Sequence, residues 1–409
     1  MHEYMNFLVI AMVVLGYGYF SKLLLRYNIS GPMIFVAVGV FLSPLGVGPS
    51  ETKINAELVQ ITAEFALILI LFSDASALNL RKLHHEWSIP VRLLFVSLPI
   101  TVIAATLIAK QFFPGETTAY LLLMALILAP TDAALGKAVV TDKTVPEKIR
   151  SGINVESGLN DGIVLPVLLT VIAMIISGQE HAQDNSWMGY VAQQIIFGAM
   201  IGSVVGYIGA RLSLKVIQKD WMEPNYHNLI PIALAILSFY LAEYFGGNGF
   251  IAAFFAGLFV GNYSEDFREH VEDFVESDGD LLILISFLVF GIAFIPPTFE
   301  YWDFNVFVYS LLSLTVLRMV PVAISLLGTK SDLSTILFIG WFGPRGIASI
   351  LYVLIAINQL GPIKGHETIY SVISLTILLS VILHGLSAQP FARLYAKKHS
   401  TLENFRDKE

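Results

Sequence analysis

The chain has 409 residues, of which 56% are hydrophobic and only 14% are charged, and its mean hydropathy is +0.71. This composition excludes an ordinary soluble fold, which has far more polar surface. The chain has no cysteine, so disulfides, thiolate metal sites and cysteine nucleophiles are excluded, and the net charge of -8 gives no support for nucleic-acid binding. We expect one membrane domain and no soluble domain.

Apolar runs predict the membrane-spanning helices, because a helix needs roughly 20 mostly apolar residues to cross the hydrocarbon core. The first run has no basic start and no small-residue cleavage site, so we interpret it as a membrane helix and not as a removed signal peptide. Bounded by proline, glycine and charged residues, the runs predict about thirteen helices. They lie at 5–26, 31–48, 57–79, 88–112, 117–140, 151–178, 190–218, 226–245, 248–262, 280–296, 303–328, 332–358 and 367–396.

The distribution of basic residues predicts the orientation of these helices, since cytoplasmic loops carry the excess of Lys and Arg. With the N-terminus outside, only Lys53, Lys110 and Lys364 of the 24 basic residues face the outside, and Arg318 and Arg345 lie within helices. We therefore expect a multi-pass protein of the cell (inner) membrane, with its N-terminus outside and its C-terminus in the cytoplasm.

The longest polar connection is the acidic segment SEDFREHVEDFVESDGD at 264–280. Much of the negative charge of the chain comes from this segment. We interpret it as a solvated helix at the membrane surface, and the alternative is a segment that regulates the protein or attracts cations.

Ionisable residues inside the predicted helices indicate where a functional site lies. A charged side chain at membrane depth costs about 2.5–3.5 kcal/mol on insertion scales, so each one needs a partner, an aqueous cavity or a function. The residues of this kind are Asp74, Asp132, Glu156, Asp161, Arg318 and Arg345.

A proline interrupts the predicted helix at 117–140, in the sequence LILAPTDAALG at 126–136. Pro130 removes an amide donor and clashes with the carbonyl one turn earlier, so the helix should kink or unwind there. The freed carbonyls, together with Thr131 and Asp132, are ligands of the kind that a hard cation such as sodium prefers. The alternative is an ordinary proline kink with Asp132 as a helix cap.

A stripe of polar residues lies along the next helix, in INVESGLNDGIVLP at 153–166. Glu156 and Asn160 are four residues apart and share a helix face, as do Ser157 and Asp161. Because the flanking residues are apolar, this stripe should face protein or water and not lipid. A purely structural stripe, satisfied by neighbouring helices, is the alternative.

A second broken helix is predicted at WFGPRGIASI, residues 341–350, with Arg345 at the break. Two interrupted helices, one in each half of the chain, are typical of an inverted-repeat transporter whose binding site lies at the membrane midplane. Arg345 would place a fixed positive charge opposite the carbonyls freed at Pro130. It would stabilise the crossing half-helices without binding substrate.

Arg318 is predicted to lie deep in the eleventh helix and cannot lose its charge, so it needs a buried carboxylate. Glu156 is the preferred partner and Asp74 is the rival. Pairing with Glu156 would leave Asp161 and Asp132 as the groups that titrate. Asp74 is then expected to contact a cation through water.

At these residues the chain resembles the monovalent cation:proton antiporter family, and within it the branch of electroneutral sodium/proton exchangers. The resemblance rests on PTD at 130–132, ESGLND at 156–161 and GPRG at 343–346, whose order and spacing also fit. It covers essentially the whole membrane domain. The resemblance implies a thirteen-helix fold with inverted repeats, which works as a homodimer by an elevator-like movement.

The resemblance also implies roles for single residues. Asp161 would be the essential site for the cation and the proton, and Asp132, Ser157 and the Thr131 carbonyl would complete it. Asn160 replaces the first aspartate of the pair that marks electrogenic relatives, so it would set an electroneutral stoichiometry.

Further implications concern the framework around that site. Glu156 with Arg318 resembles the structural ion pair of the family. The transport core would comprise the helices at 88–178 and 303–396 with part of 57–79, and the remaining helices would form the dimerisation scaffold. The long regulatory tail of larger exchangers is not expected here, so control by such a tail should be absent.

The leading hypothesis is therefore a secondary active antiporter in a lipid membrane, which exchanges Na⁺ or Li⁺ for H⁺ one for one by alternating access and needs no cofactor. A K⁺/H⁺ antiporter of the same fold is the alternative. A cation channel would need a repeated filter or symmetric pore-lining segments, and the sequence contains neither. We do not expect an enzyme, because the scattered serines offer no nucleophile with a base at matched depth.

Overall fold

A computed structural model of the protein describes residues 2–43, 56–78, 87–132, 135–136, 139, 142, 144–177, 186–223, 227, 229–263, 281, 283–329, 331–361 and 365–406. The regular structure within these residues is helical throughout, without a strand. Six of the described helices are long and apolar enough to cross a membrane, and five shorter helices are also apolar. The acidic segment at 264–280 lies outside the described residues.

The described helices follow the predicted order along the chain, and the all-helical membrane fold is confirmed. The predicted helix at 88–112 has the same bounds as α4, whereas the total of thirteen membrane helices stays a prediction. The helices are α1 His2–Arg26, α2 Gly31–Leu42, α3 Ala56–Ala77, α4 Ser88–Phe112, α5 Thr118–Ile127, α6 Glu147–Ser177, α7 Ser186–Gln218, α8 Leu229–Tyr244, α9 Gly249–Tyr263, α10 Ile283–Tyr301, α11 Phe304–Ser325, α12 Leu333–Trp341, α13 Ile347–Leu360 and α14 Glu367–Arg406.

Both predicted helix breaks are present. In the first half of the chain α5 ends at Ile127, and the backbone from Pro130 to Asp132 is not helical. In the second half α12 ends at Trp341, and α13 begins only at Ile347. Each break contains a proline, whose missing amide and fixed ring oppose a continuous helix.

Three helices differ from a regular α-helix with the predicted bounds. In α4 the segment Leu93–Ser97 is π-helical. α11 is interrupted at Thr315, where φ of -111° and ψ of -93° leave the helical region. The hydroxyl of Thr315 donates to the Leu311 carbonyl at 2.6 Å, a local bond that competes with the regular helix pattern. α14 continues to Arg406, beyond its predicted end at residue 396, because leaving the membrane does not interrupt hydrogen bonds that a helix makes within itself.

Helix α9 packs closely against α3 and α7, because glycine faces backbone at the contacts. A Cβ atom at Gly257 would lie 2.0 Å from the carbonyl oxygen of Phe72 in α3, and one at Gly202 in α7 would lie 2.2 Å from that of Ala252. Small residues allow such close approach of membrane helices, whose association is driven by packing. The division into a transport core and a dimerisation scaffold stays a prediction.

Helix α6 lies beside both breaks. It packs against α5 and α13, and α13 in turn packs against α5 and α14. The polar stripe of α6 is thereby brought to the two segments where backbone groups are released from helical hydrogen bonding.

Candidate functional site

The best-defined buried contact is the ion pair between Glu156 in α6 and Arg318 in α11. Arg318 Nη1 donates to Glu156 Oε1 at 2.6 Å, and Nη2 donates to Oε2 at 2.7 Å. The two residues are only 1% and 2% exposed, so the pair is shielded from water. This bidentate geometry suits the planar guanidinium group. Glu156, the preferred partner, is therefore paired with Arg318. Asp74, the rival, lies in α3, and its side chain is outside the described part of the structure.

The first break is held by the polar stripe of α6. Ser157 Oγ donates to the main-chain carbonyl of Thr131 at 2.7 Å, and Asn160 Nδ2 donates to the Thr131 hydroxyl at 2.8 Å. Ser157 and Asn160 are three residues apart and share a helix face. All three residues are buried. The structure thus brings the predicted pair, Ser157 and the Thr131 carbonyl, together, and it adds a contact between the Asn160 amide nitrogen and the Thr131 hydroxyl.

Asp132 connects the two breaks. Its amide donates to the Pro344 carbonyl at 2.8 Å, and its carboxylate oxygen Oδ2 accepts from the Ile347 amide at 2.8 Å. The carboxylate thus caps the N-terminus of α13, where the helix dipole favours a negative charge. A Cβ atom at Gly346 would lie 1.8 Å from this oxygen, so the contact requires glycine there. Asp132 is a helix cap of the opposite broken helix, while a role in cation binding stays a prediction.

Arg345 lies at the second break and reaches the first. Its Nη1 donates to the Ala129 carbonyl and, at 3.1 Å, to the Pro130 carbonyl. These carbonyls follow the C-terminus of α5, where a positive charge is favourable. The predicted contact between Arg345 and the carbonyls at the Pro130 break is therefore confirmed.

Asp161 follows Asn160 in α6 and is 7% exposed. Its main-chain carbonyl accepts a hydrogen bond from the hydroxyl of Tyr352 in α13. Tyr352 is not among the predicted site residues, although a tyrosine hydroxyl in an apolar helix is a signal, because it needs a partner when buried.

Polar residues of α14 support the second break. Ser380 Oγ accepts from the Arg345 amide at 2.6 Å, and His384 Nε2 lies 2.9 Å from the Trp341 carbonyl. His384 is thus a hydrogen-bonded packing residue. Ser380, His384 and Ser387 recur at helical spacing in an apolar segment, and this periodicity could have indicated that one face of α14 meets polar groups.

The atoms around Thr131 can offer oxygen ligands to a hard cation. Ser157 Oγ and the Thr131 carbonyl oxygen are 2.7 Å apart, so one ion can contact both. Two carboxylates lie close to these residues in the sequence, because Asp132 follows Thr131 and Asp161 lies four residues after Ser157. The nearby Glu156 is already neutralised by Arg318.

A family model described as "Sodium/hydrogen exchanger, transmembrane" matches residues 8–394 of the chain. The chain belongs to the sodium/hydrogen exchanger family, which is a family of transporters and not of enzymes.

Named relatives of the chain include antiporters for two different cations. It is 23% identical over 96% of its length to a K⁺/H⁺ antiporter, NhaP, of Alkalimonas amylolytica, covering 67% of that protein. It is 28% identical over 68% of its length to a Na⁺/H⁺ antiporter of Schizosaccharomyces pombe, covering 65% of it. The chain thus spans about two-thirds of the length of these relatives.

A solved structure has the same fold. The sodium proton antiporter MjNhaP1 from Methanocaldococcus jannaschii at pH 8 superimposes with a TM-score of 0.79 at 18% identity, over 97% of this chain and 100% of the other.

The buried ion pair generates a prediction about stability. Arg318→Ala and Glu156→Ala should each cost about 3–5 kcal/mol, because each leaves the other charge buried without compensation. The double variant should lose less stability than the sum of the two. Thermal unfolding of the purified variants measures this, with exposed Glu300→Ala as a control that should stay within about 0.5 kcal/mol of the parent protein. Additive losses would contradict energetic coupling between Glu156 and Arg318.

Proposed function

We propose that this protein is a secondary active antiporter that exchanges one Na⁺ for one H⁺ across the cell membrane. Asp161 carries either the proton or the cation, and the loaded site is exposed to the two sides in turn. The observation that carries the proposal is that the charged side chains near Asp161 are already engaged by other groups. Glu156 is neutralised by Arg318, and the Asp132 carboxylate caps α13, so Asp161 is assigned the changing charge.

The cation binds between the unwound backbone and α6. Its ligands are the Asp161 carboxylate, the Ser157 hydroxyl and the Thr131 carbonyl, with Asp132 and Asp74 contributing through water. The distance of 2.7 Å between the Ser157 and Thr131 oxygens supports a shared ligand position. Hard cations prefer such oxygen ligands.

Coupling follows from the cost of moving charge through a membrane. A carboxylate with neither ion bound carries a negative charge, and crossing the apolar barrier in that state costs several kcal/mol. A bound proton or a bound Na⁺ removes that net charge. Only the loaded forms therefore change sides, which converts two separate ion gradients into one exchange.

The contacts at the two breaks suit movement of the site as one body. Arg345 ties the second break to the Pro130 carbonyl, and Asp132 ties the first break to Ile347. The core then moves against the scaffold in an elevator-like step, within a homodimer in the lipid membrane. The N-terminus lies outside and the C-terminus in the cytoplasm, and the exchange serves sodium transport and pH homeostasis.

A K⁺/H⁺ antiporter is the second candidate, because relatives of similar identity carry either name. Transport by purified protein in liposomes, with Na⁺, Li⁺ or K⁺ as the driving ion and internal pH as the readout, separates the candidates. Flux of a cation without a coupled proton movement would favour a channel instead.

Asp161→Asn should abolish exchange in this liposome assay and leave the protein folded. The amide neither takes up a proton at working pH nor binds a cation with a full charge. Asp303→Asn is the matched control, because Asp303 caps α11 through a 2.8 Å bond from the Val306 amide, which asparagine also accepts. Retention of more than about a tenth of parental exchange by Asp161→Asn would remove Asp161 from its role.

Exchange should depend on pH through competition at one site. A proton and a cation that share Asp161 displace each other, so the half-saturating cation concentration should rise as pH falls, by up to about tenfold per pH unit. The measurement is the initial exchange rate against Na⁺ concentration at several pH values. A half-saturating concentration that stays constant while only the maximal rate changes would contradict a shared site.

Transport should also be electroneutral, because Asn160 stands where a second titrating aspartate would allow two protons per cation. Moving a net charge across the membrane couples to voltage by about 2.3 kcal/mol per 100 mV, which would displace the equilibrium ion gradient about fifty-fold. The Na⁺ gradient at which flux reverses is measured at a fixed pH gradient, with the potential clamped by K⁺ and valinomycin. A reversal point that moves with the potential would defeat the one-for-one assignment.

A further inference from the structure

The first two turns of α13 contact three separate parts of the site. The Ile347 amide donates to Asp132 Oδ2 at 2.8 Å, and Ser349 Oγ donates to the Ile127 carbonyl at 2.7 Å, at the end of α5. The Tyr352 hydroxyl donates to the main-chain carbonyl of Asp161. One helix from the second half of the chain therefore contacts Asp132 and Asp161, two acidic residues that the proposed function uses.

The bond from Tyr352 is additional to the helical bonds of α6. In a regular helix the Asp161 carbonyl accepts from the amide of Leu165, and a carbonyl oxygen can accept a second bond. Tyr352 is 0% exposed, so its hydroxyl has no access to water. The bond is not needed to complete the helix, and what it can do is fix the position of this peptide group.

Helix α6 has one hydrogen bond fewer than a regular helix close to Asp161. Pro166 lies inside the helix and has no amide proton, so it cannot donate to the carbonyl of Gly162, the residue after Asp161. The helix lacks one of its own bonds one residue beyond the transport carboxylate. The Tyr352 hydroxyl of α13 supplies a hydrogen bond to the Asp161 carbonyl and so holds the backbone next to this position.

We propose that Tyr352 is a positioning residue that sets the cation affinity of the site by holding the backbone at Asp161 against α13. This inference rests on the proposed role of Asp161. Tyr352 does not contact the ion. It fixes the direction in which the Asp161 side chain projects from α6, relative to Ser157 and Thr131. Metal sites depend on such support, because ligands that are loosely held bind less tightly.

The structure offers a matched control for a merely structural role. Tyr309 in α11 is also 0% exposed, and its hydroxyl donates to the main-chain carbonyl of Ala105 at 2.9 Å. Tyr309→Phe and Tyr352→Phe each remove one buried phenol-to-carbonyl bond and keep the ring. They should lower the melting temperature to a similar extent, but only Tyr352 is bonded to a site residue.

The test is a titration of each purified protein with Na⁺, and in parallel with K⁺, at a pH above neutrality, with the cation-dependent rise in melting temperature as the readout. For Tyr352→Phe the half-saturating concentration should rise about three- to tenfold, the effect of losing one buried hydrogen bond. For Tyr309→Phe it should stay within about twofold of the parent protein.

A Tyr352→Phe value within about twofold of the parent, or an equal rise in Tyr309→Phe, would overturn the proposal. The binding titration needs no transport, so it decides on Tyr352 independently of the liposome assay. Absence of exchange by the parent protein in liposomes would reject the proposed function instead.

Discussion

Backbone groups that are released from a helix inside a membrane must find partners within the protein, because hydrocarbon offers none. In this protein two such breaks satisfy each other. The Asp132 amide donates to the Pro344 carbonyl, the Asp132 carboxylate accepts from Ile347, and Arg345 donates to the Pro130 carbonyl. This exchange of bonds fixes where the two unwound segments meet each other, beside α6.

The contacts of the site also balance its buried charges. Arg318 is matched by Glu156, Arg345 by the carbonyls after α5, and Asp132 by the amide end of α13. Each of these charges is balanced by a complementary charge or helix dipole within the protein, so it needs no water molecule as a partner. In the proposed function, the ion-dependent change of charge is therefore assigned to Asp161 and not to these groups.

Much of this arrangement is predictable from the residues themselves. The breaks at Pro130 and at 343–346 follow from proline chemistry, and the Glu156–Arg318 pair follows from the rule that a buried arginine needs a carboxylate. These inferences succeed because each depends on one residue type and its cost in a membrane. The apolar run of α4 is long enough to cross a membrane, which explains why its bounds agree with the prediction.

Other features depend on distant contacts that no local pattern encodes. The capping of α13 by Asp132 joins residues that are 215 positions apart, and the bond from Tyr352 to Asp161 spans 191. Either could only be inferred once the helices are placed. The sequence also does not predict the interruption of α11 at Thr315, because threonine fits a regular helix as well as a distorted one.

The separation between Asp132 and its partners has a consequence for how the protein is made. A ribosome completes α5 and the segment after it long before it synthesises α13, which supplies the amide at Ile347. In that interval the contacts that Ile347 makes with Asp132, and that Arg345 makes with the Pro130 carbonyl, are not yet formed. The contacts that join the first break to the second are therefore completed only after the second half of the chain has been made.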